Sequence, residues 1–364
     1  MFYHPFPQAF GIDISDLSIK IVQLSNISYL RNKATFKLNT ARKTQLPPGI
    51  VVNGIIEKPE KLRLIIKKLL QGNKQQKTIR SPWVVASLPE TQTFVKNLRI
   101  NKSADEINEE FIWEKAKNHI PFGEDKYYID WQITKESNQE TNVLISASPK
   151  IIADTYTYLL ESIGLGVIAL ENESLSIVRS MVTAGKDYGS ESRALLDISD
   201  TRTSLIIHDH NVTQFSTSLP YSGELINTAL SQNLKVNRED AEKIKKELGN
   251  TYKKGNSKTF TTIYKLNEEL INEISKTFDF YYSHFPNTNK INKIVMCGGG
   301  SNLKNLDKMI SSKLQINCVK GSVWKNLSSP KKIILNEEKS ASYAVAIGLG
   351  LRAADNPFFE KDVV

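Results

Sequence analysis

The sequence predicts an α/β fold in which one architecture is built twice, and three observations lead to this prediction. The tetrapeptide DISD occurs at 13–16 and again at 197–200, each time between two runs rich in β-branched residues. Helical segments follow each copy, and a glycine triplet at 298–300 separates an apolar strand from a helix. Chance can repeat a tetrapeptide, but the matching flanks indicate a duplicated building block.

The first half opens with alternating apolar positions, which predict two strands joined at the first DISD. Residues 59–71 predict a helix, because Pro59 suits the first helical position and Gly72 suits the residue after the last. The string SPWVVASLP predicts a buried strand. Ser103 and Glu106 have the spacing of a capping box for a helix that the following IPF segment ends.

Two strings, YYIDWQI and NVLISAS, predict strands, and SPKIIADTYTYLLESIG followed by 172–183 predicts two helices. The second half restarts with RALLDISDTRTSLIIHDHNVTQFSTSLP, which predicts a three-stranded meander. Three helices are predicted after it, at about 222–234, 237–248 and 265–284. The strand KIVMC then leads into the glycine triplet and a helix, and a short strand near 333 and a helix at about 340–353 complete the fold.

The formal charge of +9, from 48 basic and 39 acidic residues, raises the question of a nucleic-acid partner. The lysines lie mainly in helical runs such as EKPEKLRLIIKKLL and REDAEKIKKELG, where acidic residues alternate with them as on a solvated helix face. No basic run with interleaved aromatic residues resembles a platform for bases. We therefore expect no nucleic-acid partner, and attraction to an anionic membrane surface is an equally simple account of the charge.

Cysteine content and hydropathy predict a cytoplasmic protein. The two cysteines, Cys297 and Cys318, offer no disulfide framework and suit a reducing compartment. The start, MFYHPFPQAF, lacks the basic and apolar regions of a signal peptide. The longest apolar stretch, 341–354, is shorter than the ~20 residues that a membrane-spanning helix needs.

The two DISD turns are candidates for holding a polyphosphate. Successive backbone N–H groups in such a turn form an anion site, and two turns facing each other would hold one ligand from both sides. Asp13 and Asp197 would bind a hydrated divalent cation, Mg²⁺, that bridges phosphate oxygens. Lys20, seven positions after Asp13, would reach the phosphates as a point charge. For one copy alone, an ordinary polar turn would be the simpler interpretation.

The glycine triplet would let the backbone approach a flat ligand and would place a helix N-terminus beside it. The order of hairpin turn, hairpin turn and glycine turn resembles the actin-like ATPase superfamily, with 11–20 and 195–203 similar to its two phosphate loops and 298–300 to its adenosine loop. The resemblance implies two duplicated RNase H-like lobes that bind ATP and Mg²⁺. The nucleotide-binding residues it implies are Asp13, Ser15, Asp16, Ser18, Lys20, Asp197, Ser199, Asp200, Thr201, Thr203, Gly223, Glu242, Lys245, Gly298, Gly299 and Gly300.

Glu242 and Lys245 enter that set because AEKIKKELG is similar to a superfamily helix whose Glu and Lys, three residues apart, contact the nucleoside. An exposed helix turn is the alternative for this pair.

Within the superfamily, the chain resembles the type IV pilus assembly protein PilM family over about 10–353. The strings that carry this resemblance are VVNGIIEKPEKL, VVASLPETQTFVKNLRI, EINEEFIWEKAKNHIPF, SLPYSGELINTAL and NREDAEKIKKELG. The residues most particular to the family are Trp113, Glu114, Ile120, Pro121 and Phe122.

Membership of this family implies a cytoplasmic, ATP-binding scaffold, peripheral to the inner membrane, in the assembly platform of a type IV pilus or a related competence or secretion machine. It would bind the cytoplasmic N-terminal tail of a PilN-like membrane protein and contact other platform proteins, and it would reach the membrane only through partners. Self-assembly into a homo-oligomer is left open.

The family carries Gly where Ser15 and Ser199 stand here, and Asp16 places a carboxylate where a hydroxyl is expected. No residue is assigned as catalytic, and we expect ATP binding in preference to turnover.

The resemblance also implies a division of the chain. The first lobe would comprise 1–90 with 169–190 and 337–364, the second lobe 191–336, and the second lobe's helical subdomain 221–288. A small α+β subdomain, 91–168, would be inserted in the first lobe and would bind the partner's tail as an extended peptide in a groove beside it. Phe111, Trp113 and Phe122 supply aromatic surface for this role, and the alternative is that they pack in the subdomain's own core.

Two other functions fit the same fold. A sugar or acid kinase would need a substrate base in the first half, and none is visible in the sequence. An FtsA-like, filament-forming division protein would carry an amphipathic membrane helix at its end, which DNPFFEKDVV does not provide. The string HDH at 208–210 is interpreted as an exposed hairpin turn and not as a metal site, because no third ligand stands at a useful spacing.

Overall fold

A computed structural model describes residues 4–27, 35–118, 126–137, 139–328 and 340–355. Its strands are β1 (Phe10–Ser15), β2 (Ser18–Asn26), β3 (Phe36–Gln45), β4 (Val51–Val52), β5 (Ile55–Ile56), β6 (Trp83–Leu88), β7 (Phe94–Ile100), β8 (Tyr127–Ser137), β9 (Glu140–Pro149), β10 (Gly166–Asn172), β11 (Ser192–Ile198), β12 (Thr203–Asp209), β13 (Val212–Leu219), β14 (Ile291–Cys297) and β15 (Asn317–Lys320). Its α-helices are α1 (Pro59–Gln71), α2 (Glu109–Ala116), α3 (Lys150–Glu161), α4 (Glu173–Met181), α5 (Gly223–Leu234), α6 (Arg238–Leu248), α7 (Ser257–His284), α8 (Leu306–Leu314) and α9 (Ala344–Ala354).

The two main sheets have the same topology. The first has the strand order β10-β6-β1-β2-β3, and the second contains the order β15-β14-β11-β12-β13. In each, a three-stranded antiparallel meander begins with a DISD strand, and that strand pairs in parallel with a later strand on its other side. The duplication predicted from the repeated tetrapeptide is therefore present in the topology of the fold.

One core layer lies between the sheets and joins them. Helices α4 and α9 pack there against apolar side chains from both sheets, including Val22 and Val85 of the first and Leu195 and Ile206 of the second. The outer face of the first sheet is covered by α1 and α3, and that of the second by α5, α6, α7 and α8. The α/β architecture of two duplicated lobes thus has three layers of buried apolar surface around two sheets.

A smaller part of the chain, formed by β7, β8, β9 and α2, has its own core around Ile112, Val143 and Ile145. Its strands extend the second sheet, because β7 pairs with β13 at Phe215 and Lys96. Helix α3 and strand β10 pack with the first sheet. We propose, accordingly, that the inserted subdomain ends near Pro149, earlier than the limit of 168 expected from the sequence.

Most predicted elements form where the sequence places them. Helix α1 begins at Pro59 and ends before Gly72, which has φ 74°. The Ser103–Glu106 capping box is present, but it caps a short 3₁₀-helix, and Asn108 caps α2 instead. Helix α7 begins eight residues before the predicted 265.

The exposed turn predicted at HDH is only partly correct. His210 lies on the turn, with φ 52°, whereas His208 and Asp209 are buried in β12. The predictions for IPF, for a strand near 333 and for most of the carboxy-terminal tail lie outside the described residues. Within the described ranges, none of the helices combines the length and apolarity that crossing a bilayer requires.

Candidate functional site

The two DISD hairpins have the same backbone register. In the first, Asp13 lies opposite Lys20 and Ser15 opposite Ser18. In the second, Asp197 lies opposite Ser204, and the Ser199 amide donates to the Arg202 carbonyl at 2.9 Å. Each hairpin therefore has a two-residue turn, and each leading aspartate faces the residue seven positions later.

In the first hairpin, the leading aspartate already has protein partners. Lys20 Nζ lies 2.8 Å from Asp13 Oδ2, and Ser15 Oγ donates to Asp13 Oδ1 at 3.0 Å. Both members of the ion pair are buried, and Ser18 beside the turn is buried too. Asp13, predicted to hold Mg²⁺ through water, and Lys20, predicted to reach the phosphates, are thus brought together, and they neutralise each other.

Asp16, at the tip of this hairpin, is directed into the protein. Its Oδ1 accepts a hydrogen bond from the Gly54 amide at 2.9 Å, and its Oδ2 accepts one from the Asn53 amide at 3.2 Å. These amides belong to the turn between β4 and β5, and Asp16 is buried. The carboxylate therefore anchors that turn.

In the second hairpin, the residue opposite the leading aspartate is Ser204 and not a cation. Asp197 accepts hydrogen bonds from Ser199 Oγ at 3.1 Å and from Cys297 Sγ at 3.5 Å. Burial raises the pKa of Asp197, and the hydrogen bonds and the charges of Lys20 and Arg202 oppose that shift. Lys20 acts on the charge of Asp197, and Arg202 Nη1 lies 3.8 Å from Asp16, so the two hairpins are neighbours; we call the region between them the cleft.

The glycine turn packs directly against the second hairpin. A Cβ at Gly298 would lie 2.2 Å from the Ile198 carbonyl oxygen and 2.6 Å from Asp197 Oδ1, and its φ of 78° favours glycine. A Cβ at Gly300 would lie 2.2 Å from Ile198 Cγ2, whereas one at Gly299 would meet nothing within 4 Å. Two of the three glycines are therefore needed for close packing, and Gly299 lies in open space.

Helices α5 and α6 border the second hairpin. The Gly223 amide donates to the Ser199 carbonyl at 3.1 Å, and Lys245 Nζ donates to the Gly223 carbonyl at 3.1 Å. Lys245 Nζ also lies 2.6 Å from Glu242 Oε2. Burial opposes ionisation of Glu242, but the hydrogen bond and charge of Lys245 lower its pKa to about 2. The predicted nucleoside pair thus lies beside the hairpin tip as a joined, charged pair.

The other predicted residues of the second hairpin differ in exposure. Asp200 is exposed at the tip, and its carbonyl accepts from the Glu224 amide at 2.8 Å. Thr201 is half-buried, and Thr203 is buried with no hydrogen-bond partner on its Oγ1. The hairpin tip therefore combines exposed groups with a buried hydroxyl.

Arg202 is the main residue that the sequence analysis missed. It is buried, and its guanidinium donates to both carboxylate oxygens of Glu173, with 3.1 Å from Nε to Oε2. Arg202 Nη1 lies 3.8 Å from Asp16 Oδ1 and has no hydrogen-bond partner. Arg202 comes from the second hairpin, whereas Glu173 opens α4 and Asp16 belongs to the first hairpin. One side chain therefore connects the two lobes across the cleft.

The ionisable groups around this contact shift one another's pKa values. Burial disfavours the charged form of Arg202, but Glu173, Asp16 and Asp13 raise its pKa, so the guanidinium stays protonated. Burial raises the pKa of Glu173, and Asp13 and Glu90 add to the shift while Arg202 opposes it. The only features of the sequence that could have indicated the contact between Arg202 and Glu173 were an arginine in an otherwise acidic turn and a glutamate at the start of a helix.

Lys43 is a second cation that the sequence analysis missed. It lies opposite Lys20 on β3, so both side chains project from the same face of the sheet. Desolvation and the charge of Lys20 lower the pKa of Lys43, while Asp200 and Asp13 oppose the shift. Lys43 is exposed beside the first hairpin, and Asp200 of the second hairpin is near enough for its charge to act on it.

Asp13 and Asp197 are thus both engaged by protein groups. Within the ranges that the structure describes, no group of three or more His, Cys, Asp or Glu side chains is arranged to hold a metal ion.

Known proteins are similar to this chain in sequence and in fold. The family model described as "Type IV pilus assembly protein PilM" matches residues 11–354. A solved "PilM-PilN type IV pilus biogenesis complex" is similar with a TM-score of 0.81 and 20% identity, covering 96% of this chain and 100% of that one. The ethanolamine utilization protein EutJ from Carboxydothermus hydrogenoformans is similar with a TM-score of 0.54 and 11% identity, covering 94% and 88%.

A structure of MreB 5 of Spiroplasma citri bound to AMPPNP has a TM-score of 0.48 and 14% identity, covering 94% and 95%. The actin-like fold class expected from the sequence is confirmed, and the family match does not favour a sugar kinase or a division filament. The match extends over nearly the whole chain, and the chain therefore belongs to the type IV pilus assembly protein PilM family.

Proposed function

We propose that the protein is a cytoplasmic, nucleotide-binding scaffold of a type IV pilus assembly platform and that it holds the cytoplasmic tail of a PilN-like membrane protein. Family membership supports the pilus role. The similar solved structure is a complex of PilM with PilN, which supports a partner of that kind. The observation that carries the proposal is an apolar surface where the inserted subdomain meets the first lobe.

We call this surface the junction strip. It comprises Leu64 of α1, Tyr128 of β8 and two residues of α3, Ile151 and Tyr158, which are 69%, 49%, 72% and 68% exposed. Ile151 and Tyr158 are seven residues apart, so they lie on one face of the helix. Large apolar side chains grouped in this way favour a docking site over ordinary solvent exposure.

Contacts connect the members of the junction strip. Tyr128 OH donates to Asp154 of α3 at 3.1 Å, which brings β8 to the helix face between Ile151 and Tyr158. The Arg63 guanidinium lies 5.6 Å from the centre of the Tyr158 ring, which brings α1 to the same face. Residues of the strip therefore come from the inserted subdomain and from the first lobe, at the place where the two meet.

The sheet next to this strip suits an extended peptide. Strand β8 stands at the end of the strand order in the second sheet. A tail that paired along β8 would satisfy its own backbone groups, and its alternate side chains would cover the junction strip. Trp113 and Phe111, expected to contribute aromatic surface, pack instead against the core of the inserted subdomain. Phe122 lies outside the described residues.

The cleft supports a nucleotide as the second ligand. Lys20, Lys43 and Arg202 place three positive charges around it, and the glycine turn lies beside it. We propose that ATP lies there, with the two hairpins at its phosphates and Glu242 and Lys245 near its nucleoside. Phosphate oxygens would accept hydrogen bonds from these cations in competition with the carboxylates that pair with Lys20 and Arg202. Its role would be that of a structural ligand or a slow switch.

Titration of a fluorescent peptide with the sequence of the partner's cytoplasmic tail tests the proposal. We expect saturable anisotropy, and we expect the double variant Ile151→Ser, Tyr158→Ser to weaken binding by about tenfold or more. The matched control is Tyr252→Ser, because Tyr252 is 63% exposed and belongs to the second lobe. Equal affinity of the strip variant and the control would exclude this site, and no saturation with the native protein would exclude the partner.

A further inference from the structure

A strongly basic surface lies on the first lobe, along helix α1 and the turn that follows it. Residues 57–80 include eight basic and two acidic residues, so they carry a net charge of +6, whereas the whole chain carries +9. Seven of the eight basic side chains are exposed, and we call them the basic face: Lys58, Lys61, Lys67, Lys68, Lys74, Lys77 and Arg80. Most of the excess positive charge of the protein is therefore concentrated on one short segment.

The acidic residues of this segment do not neutralise the basic face. Glu60 pairs with Arg63, whose Nη1 lies 2.8 Å from Glu60 Oε1 and which is not a member of the face. Among the residues that the structure describes, no ion pair involves a member of the basic face. The acidic residues that alternate with lysines in the sequence of α1 therefore leave its surface positively charged.

Contacts from strand β3 fix the shape of the basic face. The guanidinium of Arg42 is buried and donates to the carbonyl of Leu69 at 2.6 Å and to that of Leu70 at 2.9 Å. It also donates to the carbonyl of Lys77, in the turn that follows α1. The Ile79 amide donates to the Leu70 carbonyl at 3.0 Å. The turn is therefore held against the end of α1, and its lysines are presented together with those of the helix.

The basic face borders the junction strip. Leu64 of the strip follows Lys61 by three residues and precedes Lys68 by four, so the three side chains lie along one side of α1. All three are exposed. A tail bound on the junction strip would therefore attach the protein to its membrane partner on the side that carries these lysines.

We propose that the basic face binds the anionic phospholipid headgroups of the membrane in which the partner is anchored. The proposal rests on the proposed function, because the partner's tail brings α1 to the bilayer. Each lysine near an anionic surface adds a favourable contribution, and several act together within a Debye length of the headgroups. A basic surface alone binds reversibly, so this contact would orient and strengthen a protein that the tail already holds.

The position of the basic face favours a membrane over a nucleic acid as its ligand. It adjoins the surface proposed for the tail of a membrane protein. None of its seven members is aromatic, so the face offers no ring on which the bases of a single strand could stack. A layer of lipid headgroups requires only a set of exposed cations on one side of the protein.

Flotation with lipid vesicles tests the proposal. At low ionic strength, we expect the native full chain to bind vesicles of phosphatidylglycerol and phosphatidylcholine about tenfold or more tightly than vesicles of phosphatidylcholine alone. High salt should remove most of this difference. Vesicles that carry the partner's tail as a lipid-anchored peptide should show the same preference for the anionic lipid. Absence of a preference in both kinds of vesicle overturns the proposal, whereas capture of the free peptide tests the proposed function separately.

A triple variant locates the contact. Lys67→Gln, Lys68→Gln and Lys74→Gln together remove three charges from the basic face, and we expect binding to anionic vesicles to weaken by about tenfold or more. This variant should still capture the free tail peptide as the native protein does, because none of the three lysines belongs to the junction strip. If it does not, the double variant Lys74→Gln, Lys77→Gln, confined to the turn beyond the helix, takes its place.

The matched control is the triple variant Lys253→Gln, Lys254→Gln, Lys258→Gln. These lysines are exposed on the second lobe, so the control loses the same charge at a distant place, and it should bind vesicles as the native protein does. Equal losses in the two triple variants would mean that net charge, and not the basic face, causes binding. Tighter binding of duplex DNA than of anionic vesicles, lost in the basic-face variant alone, would make the face a nucleic-acid site and overturn the proposal.

Discussion

The two DISD hairpins have one backbone plan and two different distributions of charge. In the first, Asp13 and Lys20 stand opposite each other and form a buried ion pair within the hairpin. In the second, Ser204 occupies the position of Lys20, so Asp197 has no cation opposite it. The cation of the second hairpin is Arg202, which extends to Glu173 and towards Asp16.

This difference shows how a duplicated hairpin acquires separate roles. The first hairpin neutralises itself, and its tip is tied to the turn after β4 through Asp16. The second carries a positive charge whose ion-pair partners, Glu173 and Asp16, lie outside the hairpin. Arg202 therefore adds a polar contact between the lobes to the apolar core layer that joins the two sheets.

Breaking the Arg202 contact has the largest expected effect. Arg202→Met would leave Glu173 buried without its cation, and we expect the free energy of unfolding to fall by about 3–5 kcal/mol. Urea denaturation measures this change. Arg238→Met, at an exposed pair, should cost less than about 1 kcal/mol. Similar small losses for both variants would mean that Arg202 does not hold the lobes together.

Breaking the pair of the first hairpin comes next. Lys20→Met leaves Asp13 buried with only Ser15 as a partner, and we expect a loss of about 3 kcal/mol in urea denaturation. Its counterpart in the second hairpin is Ser204→Ala, which breaks no ion pair and should cost about 1 kcal/mol or less. Equal losses at the two matched positions would contradict the assigned difference in charge.

Substitutions in the glycine turn test whether close packing of that turn stabilises the second hairpin. Gly298→Ala places a Cβ against the Ile198 carbonyl at a φ of 78°, so we expect a loss of about 2–3 kcal/mol. Gly299→Ala meets no atom within 4 Å and should change stability by less than about 0.5 kcal/mol. Thermal melting that ranks the two variants in the opposite order would exclude this packing.

The smallest expected effect is a gain in stability. Burial raises the pKa of Asp197 above its usual 3.8. The stability that its protonated carboxyl group contributes is therefore fully present below pH 3.8, and it is lost as the pH rises through the folded-state pKa. In Asp197→Asn an amide that does not ionise replaces the carboxyl group, so the variant does not lose this stability as the pH rises. We expect the variant to be more stable than the native protein by about 1 kcal/mol at pH 7, with the difference vanishing near pH 4.

Denaturation at the two pH values measures this difference. A variant that is less stable at pH 7, or a difference that is the same at both pH values, would show that Asp197 does not carry the cost of an uncompensated buried charge.

Local patterns explain what the sequence could predict. The register of both hairpins follows from alternating apolar residues around a short polar turn, and α1 follows from Pro59 and Gly72. The glycine turn could be predicted because its backbone conformation and close packing admit almost no other residue. These features depend on residues that are near one another in the chain.

The charge network could not be predicted because it depends on distant contacts. Arg202 pairs with Glu173 across 29 positions, and Asp16 bonds to Gly54 across 38. Nothing in the DISD tetrapeptide distinguishes an aspartate that faces a ligand from one that anchors a neighbouring turn. The same limit explains why the sequence did not point to Ile151 and Tyr158, whose exposed surface adjoins a strand that is distant in the chain.

Hydrogen exchange with mass spectrometry, with and without ATP, tests most directly whether the two hairpins bind one ligand between them. We expect ATP to slow exchange together at 13–20, at 197–204 and at the glycine turn, 298–302. Slowed exchange at one hairpin alone, or at none of these segments, would contradict it.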